Sequence, residues 1–159
     1  MKLWRLTRAP FVALDGQGAV LNGARYAPPG VPVVSLASEA GLAVLVALRY
    51  LPKIALGDPQ GIADDYVLGW TEVDAVPLRV PDPDEETIRA VVGEWLATQR
   101  SLLAAVRSKV LPEADVVLLN PQHPDATKVQ PLTTRPFSFA QCLHTPPLLA
   151  RYAGSNGLG

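Results

Sequence analysis

Several polar positions stand at the ends of apolar runs, where strands hold side chains in place for a site. They are Arg25 with Tyr26, Ser35, Ser108 and the segment Asn120-Pro121-Gln122-His123-Pro124. Taken by themselves they define no reaction. The sequence has no glycine-rich phosphate loop, no nucleophile elbow and no carboxylates or histidines at metal-ligand spacing. Each position also has an ordinary structural reading. Arg25 can be a surface ion pair or a stem-packed cation, and Ser35, Ser38 and Ser108 can be turn or capping hydroxyls. His123, between two prolines, can be a hydrogen-bonding ring in a rigid turn, since proton transfer first requires apt geometry. Cys142 is the single cysteine, and with only His123 and His144 near it in sequence no zinc set forms. The expectation is no metal, no disulfide and a reducing compartment.

The elements that must position these residues are short and punctuated by sixteen prolines and twelve glycines. A strand is expected over Met1 to Leu6, then a glycine loop at Asp15 to Gly18. The turn Ala27-Pro28-Pro29-Gly30 leads into a buried β-branched strand, Val31 to Leu36. Ser38 is the expected N-cap of a helix that carries Leu42, Leu45, Val46 and Arg49 on one broad face. Strands follow at Asp65 to Val73 and, shorter, at Val76 to Val80. Pro83 to Leu96 reads as a helix with Asp82 as N-cap, proline at its first position, and Asp84, Glu85 and Glu86 at the favourable end of the dipole. Gly93 is a candidate break. Leu102 to Val106 and Ala114 to Leu119 read as two further strands. Periodicity fades after Phe139, and residues 154–159 read as a mobile tail. Mixed short strands with two or three helices predict an α+β fold. Regular strand-helix alternation is absent, which argues against a doubly wound sheet.

At 159 residues, 48% apolar and 18% charged, the chain has the length and composition of one folded domain. Fourteen basic residues against fifteen acidic ones, without a long run of either sign, exclude a strong phosphate-tracking surface, so direct nucleic-acid binding is not expected. The most apolar window, Val31 to Leu51, contains Ser35, Ser38, Glu39 and Arg49 and is bracketed by Pro32 and Pro52. That suits a strand-turn-helix better than a membrane span. Met1-Lys2 runs into Trp4, Arg5 and Arg8 without the apolar stretch of a secretory signal, so the cytoplasm is the expected location.

Longer strings of residues carry a family resemblance. Gly23-Ala24-Arg25-Tyr26, Pro29-Gly30-Val31-Pro32-Val33-Val34, Ser38-Glu39 and Leu42-Ala43-Val44-Leu45 resemble the first half of the RES domain. Glu94-Trp95, Ser101-Leu102-Leu103, Val106-Arg107-Ser108, Val110-Leu111-Pro112-Glu113, Leu118 to Pro124 and Arg135-Pro136-Phe137-Ser138-Phe139 resemble the second. The resemblance spans about residues 3 to 143. It implies a RES-like domain over residues 1–143, with residues 144–159 as a C-terminal tail.

The resemblance implies a compact domain similar in fold to ADP-ribosyltransferases, with mixed short-stranded sheets and flanking helices. It further implies the toxin half of a toxin-antitoxin pair, which depletes cellular NAD by cleaving the nicotinamide-ribosyl bond. NAD enters as substrate, with no tightly bound cofactor. An Xre-type antitoxin is the implied partner, and a homodimer is a further possibility of the family. Carried over by position, the family's arginine falls on Arg25 and its aromatic neighbour on Tyr26, with Ala24 in place of a glycine. A planar guanidinium fork can grip two pyrophosphate oxygens in a way an ammonium cannot. The family's serine falls on Ser108, placed to orient a ribose or phosphate, with Arg107 replacing a proline. An expected tyrosine falls on Ser35, an expected glutamate on Val46, and a common histidine on Arg49. The Val46 departure bears on catalysis, because breaking the glycosidic bond builds positive charge on the ribose that a nearby anion stabilises. The alternative is therefore a catalytically impaired relative that still binds antitoxin or NAD.

Overall fold

The computed structural model describes residues 1–51 and 62–143. Among these, seven strands form one mixed sheet in the order β4-β5-β6-β2-β1-β3-β7. The strands are β1 (Lys2–Arg8), β2 (Val34–Ala37), β3 (Tyr66–Glu72), β4 (Leu78–Arg79), β5 (Leu103–Arg107), β6 (Asp115–Leu119) and β7 (Thr133–Pro136). The helices are α1 (Gln17–Asn22), α2 (Ala40–Tyr50), α3 (Glu85–Thr98) and α4 (Phe139–Cys142). The fold is α+β, as expected. The tail residues 144–159 lie outside the described residues, as does His144.

Alternation along the strands divides the core. Leu3, Val34, Leu36, Leu103, Val117 and Leu119 share one face, which loop residues Leu14, Ala126 and Val129 cover. The opposite face carries both long helices. Ala104, Val106 and Leu118 receive Ile88, Val92, Trp95 and Leu96 of α3. Trp4, Leu6, Ala37 and Leu68 receive Leu42, Ala43 and Val46 of α2. Ile88 and Leu42 are fully buried, and burial of this kind stabilises by about 1.5–3 kcal/mol per side chain. Trp95, also fully buried, donates its indole N–H to Ser101 at 2.9 Å from Oγ and 3.0 Å from the carbonyl, so its polar edge is satisfied.

The pairing pattern shows that the sheet consists of two halves. β1 pairs with β3 along its whole length, from Lys2↔Glu72 to Arg8↔Tyr66. β2 pairs with β6 along its whole length, from Val34↔Leu119 to Ala37↔Val116. Between β1 and β2 the register holds at one pair only, Trp4↔Ala37. The halves β4-β5-β6-β2 and β1-β3-β7 therefore part on one side of that joint.

Several local expectations need correction. The stretch read as a glycine loop is partly helical: α1 starts behind Gly16, whose φ of 75° makes it a left-handed N-cap. A Cβ at Gly16 would meet the Val33 nitrogen at 2.8 Å, so glycine serves here for close approach to the next strand. Ser38 does not cap α2. Glu39 holds that position, while Ser38 Oγ accepts the Asp115 N–H at 2.9 Å and ties β2 to β6. α3 is capped by Asp84 and not Asp82, with Asp84 accepting the Thr87 N–H at 2.7 Å. The helix runs through Gly93 and ends at Gln99 in the left-handed region, φ 51°. β7 was not anticipated. All four of its residues are exposed on a sheet edge, so no burial alternation marks it in the sequence.

Candidate functional site

Where β1 and β2 part, they leave a cavity of about 840 Å³ on the helix-bearing side. Arg5 to Arg8 of β1 and Ser35 of β2 line it from the sheet. Ala43, Val46, Ala47, Arg49 and Tyr50 of α2 close one side. Arg25, Tyr26, Glu85, Ser108 and Lys109 close the other.

Arg25 and Tyr26 occupy the tip of a two-residue turn. The flanking Ala24 and Ala27 bridge each other, N to O at 2.9 Å and 3.3 Å. Tyr26 belongs to the α3 core cluster and is 6% exposed, so its ring anchors the turn. Burial raises the phenol above its ordinary value and keeps it neutral. The Arg25 guanidinium lies 5.5 Å from the centre of that ring, and its side chain, 27% exposed, is part of the cavity lining. Its Nη2 donates to Glu85 Oε2 at 3.3 Å. That hydrogen bond holds the Glu85 carboxyl below its ordinary value, so Glu85 is anionic at neutral pH.

Ser108 is 5% exposed, and its hydroxyl oxygen accepts the Leu111 N–H at 3.1 Å, closing the turn between β5 and β6. The turn reading of Ser108 thus describes its geometry, although it also lines the cavity. Ser35 is exposed on β2 opposite Leu118, with its position open to the cavity. Val46 is partly buried against the Trp4, Leu6 and Ala43 cluster, so α2 contributes an aliphatic wall here.

Five cations line the cavity, Arg5, Arg8, Arg25, Arg49 and Lys109, against Glu85 as the one lining carboxylate among the described residues. Arg8 is held by Asp65 in a two-pronged pair, both bonds at 2.8 Å. Arg5 donates to the Ala13 carbonyl at 3.1 Å, and burial lowers its pKa. A concave surface with this surplus of positive charge attracts anions.

The structure brings Arg25, Tyr26, Ser35, Val46, Arg49 and Ser108 to one cavity from four separate segments. The Asn120 to Pro124 segment does not join them. Asn120 is buried, donating to the Leu96 carbonyl at 3.2 Å and accepting the Gln122 N–H at 3.0 Å. His123 Nδ1 accepts the Asp125 N–H at 3.1 Å and caps a 3-10 turn. Sequence reasoning missed Glu85 and Lys109. Glu85 read only as a helix-dipole charge, and nothing local shows that a residue sixty positions earlier folds against it.

No helix among the described residues is long and apolar enough to cross a membrane, and no three metal-ligating side chains cluster there.

Comparison with known proteins adds to this geometry. The RES domain family matches residues 2–140. The "Prs ADP-ribosylating toxin" of Sphingobium sp. (strain YBL2) is 30% identical over 135 residues, covering 79% of this chain and 83% of the relative. A "Toxin Res" of Photorhabdus laumondii is 31% identical over 140 residues, covering 80% and 86%. Among solved structures, one titled as the M.tuberculosis MbcT-MbcA toxin-antitoxin complex aligns with a TM-score of 0.65. It covers 88% of this chain and 85% of that chain at 20% identity, a likeness of fold.

Proposed function

The chain belongs to the RES domain family, and on that premise we propose that it is a toxin that consumes NAD by breaking the bond between nicotinamide and ribose. The observation that carries this reading is the cationic cavity between the two half-sheets. Its volume of about 840 Å³ lies within the range of small-molecule sites, and its polar wall presents Arg25 beside Tyr26 and Ser108. Arg25 grips the pyrophosphate, Tyr26 sets the turn that aims it, and the Ser108 hydroxyl, whose hydrogen is not used by the Leu111 contact, donates to a ribose or phosphate oxygen. Ser35 lies at the floor of the site, close enough in the lining to contact the same ligand.

In the reaction the C–N bond to nicotinamide breaks and its electron pair leaves with the ring, so neutral nicotinamide departs from an oxocarbenium-like ribose. Attack by water yields ADP-ribose and a proton, and attack by phosphate yields ADP-ribose 1-phosphate. ADP-ribosylation, the activity in the printed name of the Sphingobium relative, breaks the same bond when NAD is the donor. The proposal places this chemistry in the cytoplasm, with an Xre-type antitoxin as the partner that restrains it and a homodimer as the assembly. The toxin-antitoxin complex among the structural neighbours and the family membership support the partner.

A second reading is favoured by one specific feature. α2 faces the cavity with Ala43, Val46 and Ala47, so among the described residues no carboxylate approaches from that side. An inactive relative that retains ligand or antitoxin binding fits that wall. One assay separates the two readings: purified chain with NAD, with and without phosphate, followed for nicotinamide and ADP-ribosyl products beside Arg25→Ala. Nicotinamide release that depends on Arg25 is the expected result. NAD binding without release establishes the second reading, and absence of both overturns the proposal.

A further inference from the structure

Arg25 is held twice from one helix. Its Nη2 donates to Glu85 Oε2 at 3.3 Å, and its carbonyl oxygen accepts from Arg89 Nε at 3.1 Å. Glu85 and Arg89 are one turn apart on α3 and are themselves paired, Arg89 Nη2 donating to Glu85 Oε1 at 2.8 Å. The contacts close into a ring that fixes both the backbone and the side chain of Arg25. Lys109 Nζ lies 3.8 Å from Glu85 Oε2, which draws the loop after Ser108 toward the same carboxylate.

The helix is a firm reference. Ile88, Val92 and Trp95 are fully buried, and the Asp84 cap fixes the first turn, where Glu85 sits. An arginine at the tip of a two-residue turn has four rotatable side-chain bonds, and fixing them before a ligand arrives removes that ordering cost from binding. The Glu85 contact uses one nitrogen of the guanidinium. Its remaining donors, on Nε, on Nη1 and the second hydrogen of Nη2, have no hydrogen-bond partner among the described residues.

We propose that Glu85 and Arg89 form a positioning pair for Arg25, setting its guanidinium and, through Lys109, the Ser108 loop in the orientation that receives an anionic dinucleotide. The inference rests on the cavity being the NAD site. Glu85 acts through Arg25 and is not a catalytic residue. Three cations surround its carboxylate, so it does not confront the ligand as an uncompensated negative charge.

The test is a calorimetric titration with NAD of the unaltered chain, Glu85→Gln, Arg89→Ala, Arg25→Lys and the double variant Glu85→Gln/Arg25→Lys. Near-ultraviolet circular dichroism confirms that each is folded. Glu85→Gln is expected to weaken binding about fivefold, and Arg89→Ala about threefold, as suits partly exposed ion pairs. In the Arg25→Lys background, Glu85→Gln is expected to change affinity less than about twofold, because its effect passes through the guanidinium. Equal weakening in both backgrounds reduces Glu85 to a general structural residue and overturns the proposal. Tighter binding by Glu85→Gln overturns it too, since Glu85 would then be competing with the ligand for Arg25. No binding by the unaltered chain refutes the cavity reading itself. Binding that Glu85→Gln leaves intact refutes only the positioning pair.

Discussion

The two walls of the cavity follow opposite rules. The wall made by the Arg25 turn, the start of α3 and the Ser108 loop is polar and cross-tied, with Glu85 meeting three cations. The wall made by α2 is aliphatic through Ala43, Val46 and Ala47, and becomes polar only at Arg49 and Tyr50. Ion pairing on the first wall orders groups suited to hold a phosphate. The second wall offers mainly shape, with Arg49 as its one charged side chain. On the proposed reading, holding a dinucleotide falls to the first wall, while the second offers no carboxylate among its described residues to stabilise the positive charge of a broken glycosidic bond.

The largest expected effect falls on the polar wall. Arg25→Ala should lower nicotinamide release from NAD by about a hundredfold or more, the scale of losing one well-aimed electrostatic group. Unchanged release in that variant would remove the basis for assigning grip to this wall. Val46→Glu tests the other wall by supplying the carboxylate that α2 lacks, with an expected gain in turnover of roughly tenfold. Because Val46 is partly buried in the α2 cluster, the gain should come with a stability loss of about 1–2 kcal/mol in urea unfolding. A folded Val46→Glu chain with no gain would show that this position does not face the reacting ribose.

Ser108→Ala should destabilise the chain by about 1 kcal/mol, because the Leu111 N–H loses its acceptor, seen as a lower urea midpoint at unchanged slope. The smallest effect is a pH dependence. Glu85 is held below the ordinary glutamate value, chiefly by its hydrogen bond from Arg25. Its contribution to stability is therefore fully present above the unfolded value of about 4.3 and is lost as pH falls through the lower folded value. The difference in urea midpoint between the unaltered chain and Glu85→Gln should shrink between pH 6 and pH 3. A difference that stays constant would mean that the Glu85 charge contributes nothing to holding the polar wall together.

Local chemistry explains which elements were legible in the sequence. β3, β5 and β6 are apolar runs bounded by turn formers, and Pro83 followed by acidic residues announced α3 to within a turn of its start. α1 escaped because its flanking glycines read as a loop, and β7 because an exposed edge strand has no alternation to read. Arg25, Tyr26, Ser35, Val46, Arg49 and Ser108 were singled out by position within a recognised pattern, which carries no information about distance. Glu85 and Lys109 had no such pattern and were missed.

The sequence by itself determined the class of fold, the helix and strand types of most segments and the family, since periodicity, capping residues and turn formers act over a few neighbouring positions. Only the tertiary structure decided that β1 and β2 meet at one pair and then part, that the opening is lined by side chains from segments far apart in the chain, and that Glu85 closes a ring on Arg25. Those outcomes depend on how α2 and α3 pack on the same face of the sheet to either side of the joint. Burial and charge pairing between distant segments set that packing, and neither leaves a mark in local sequence.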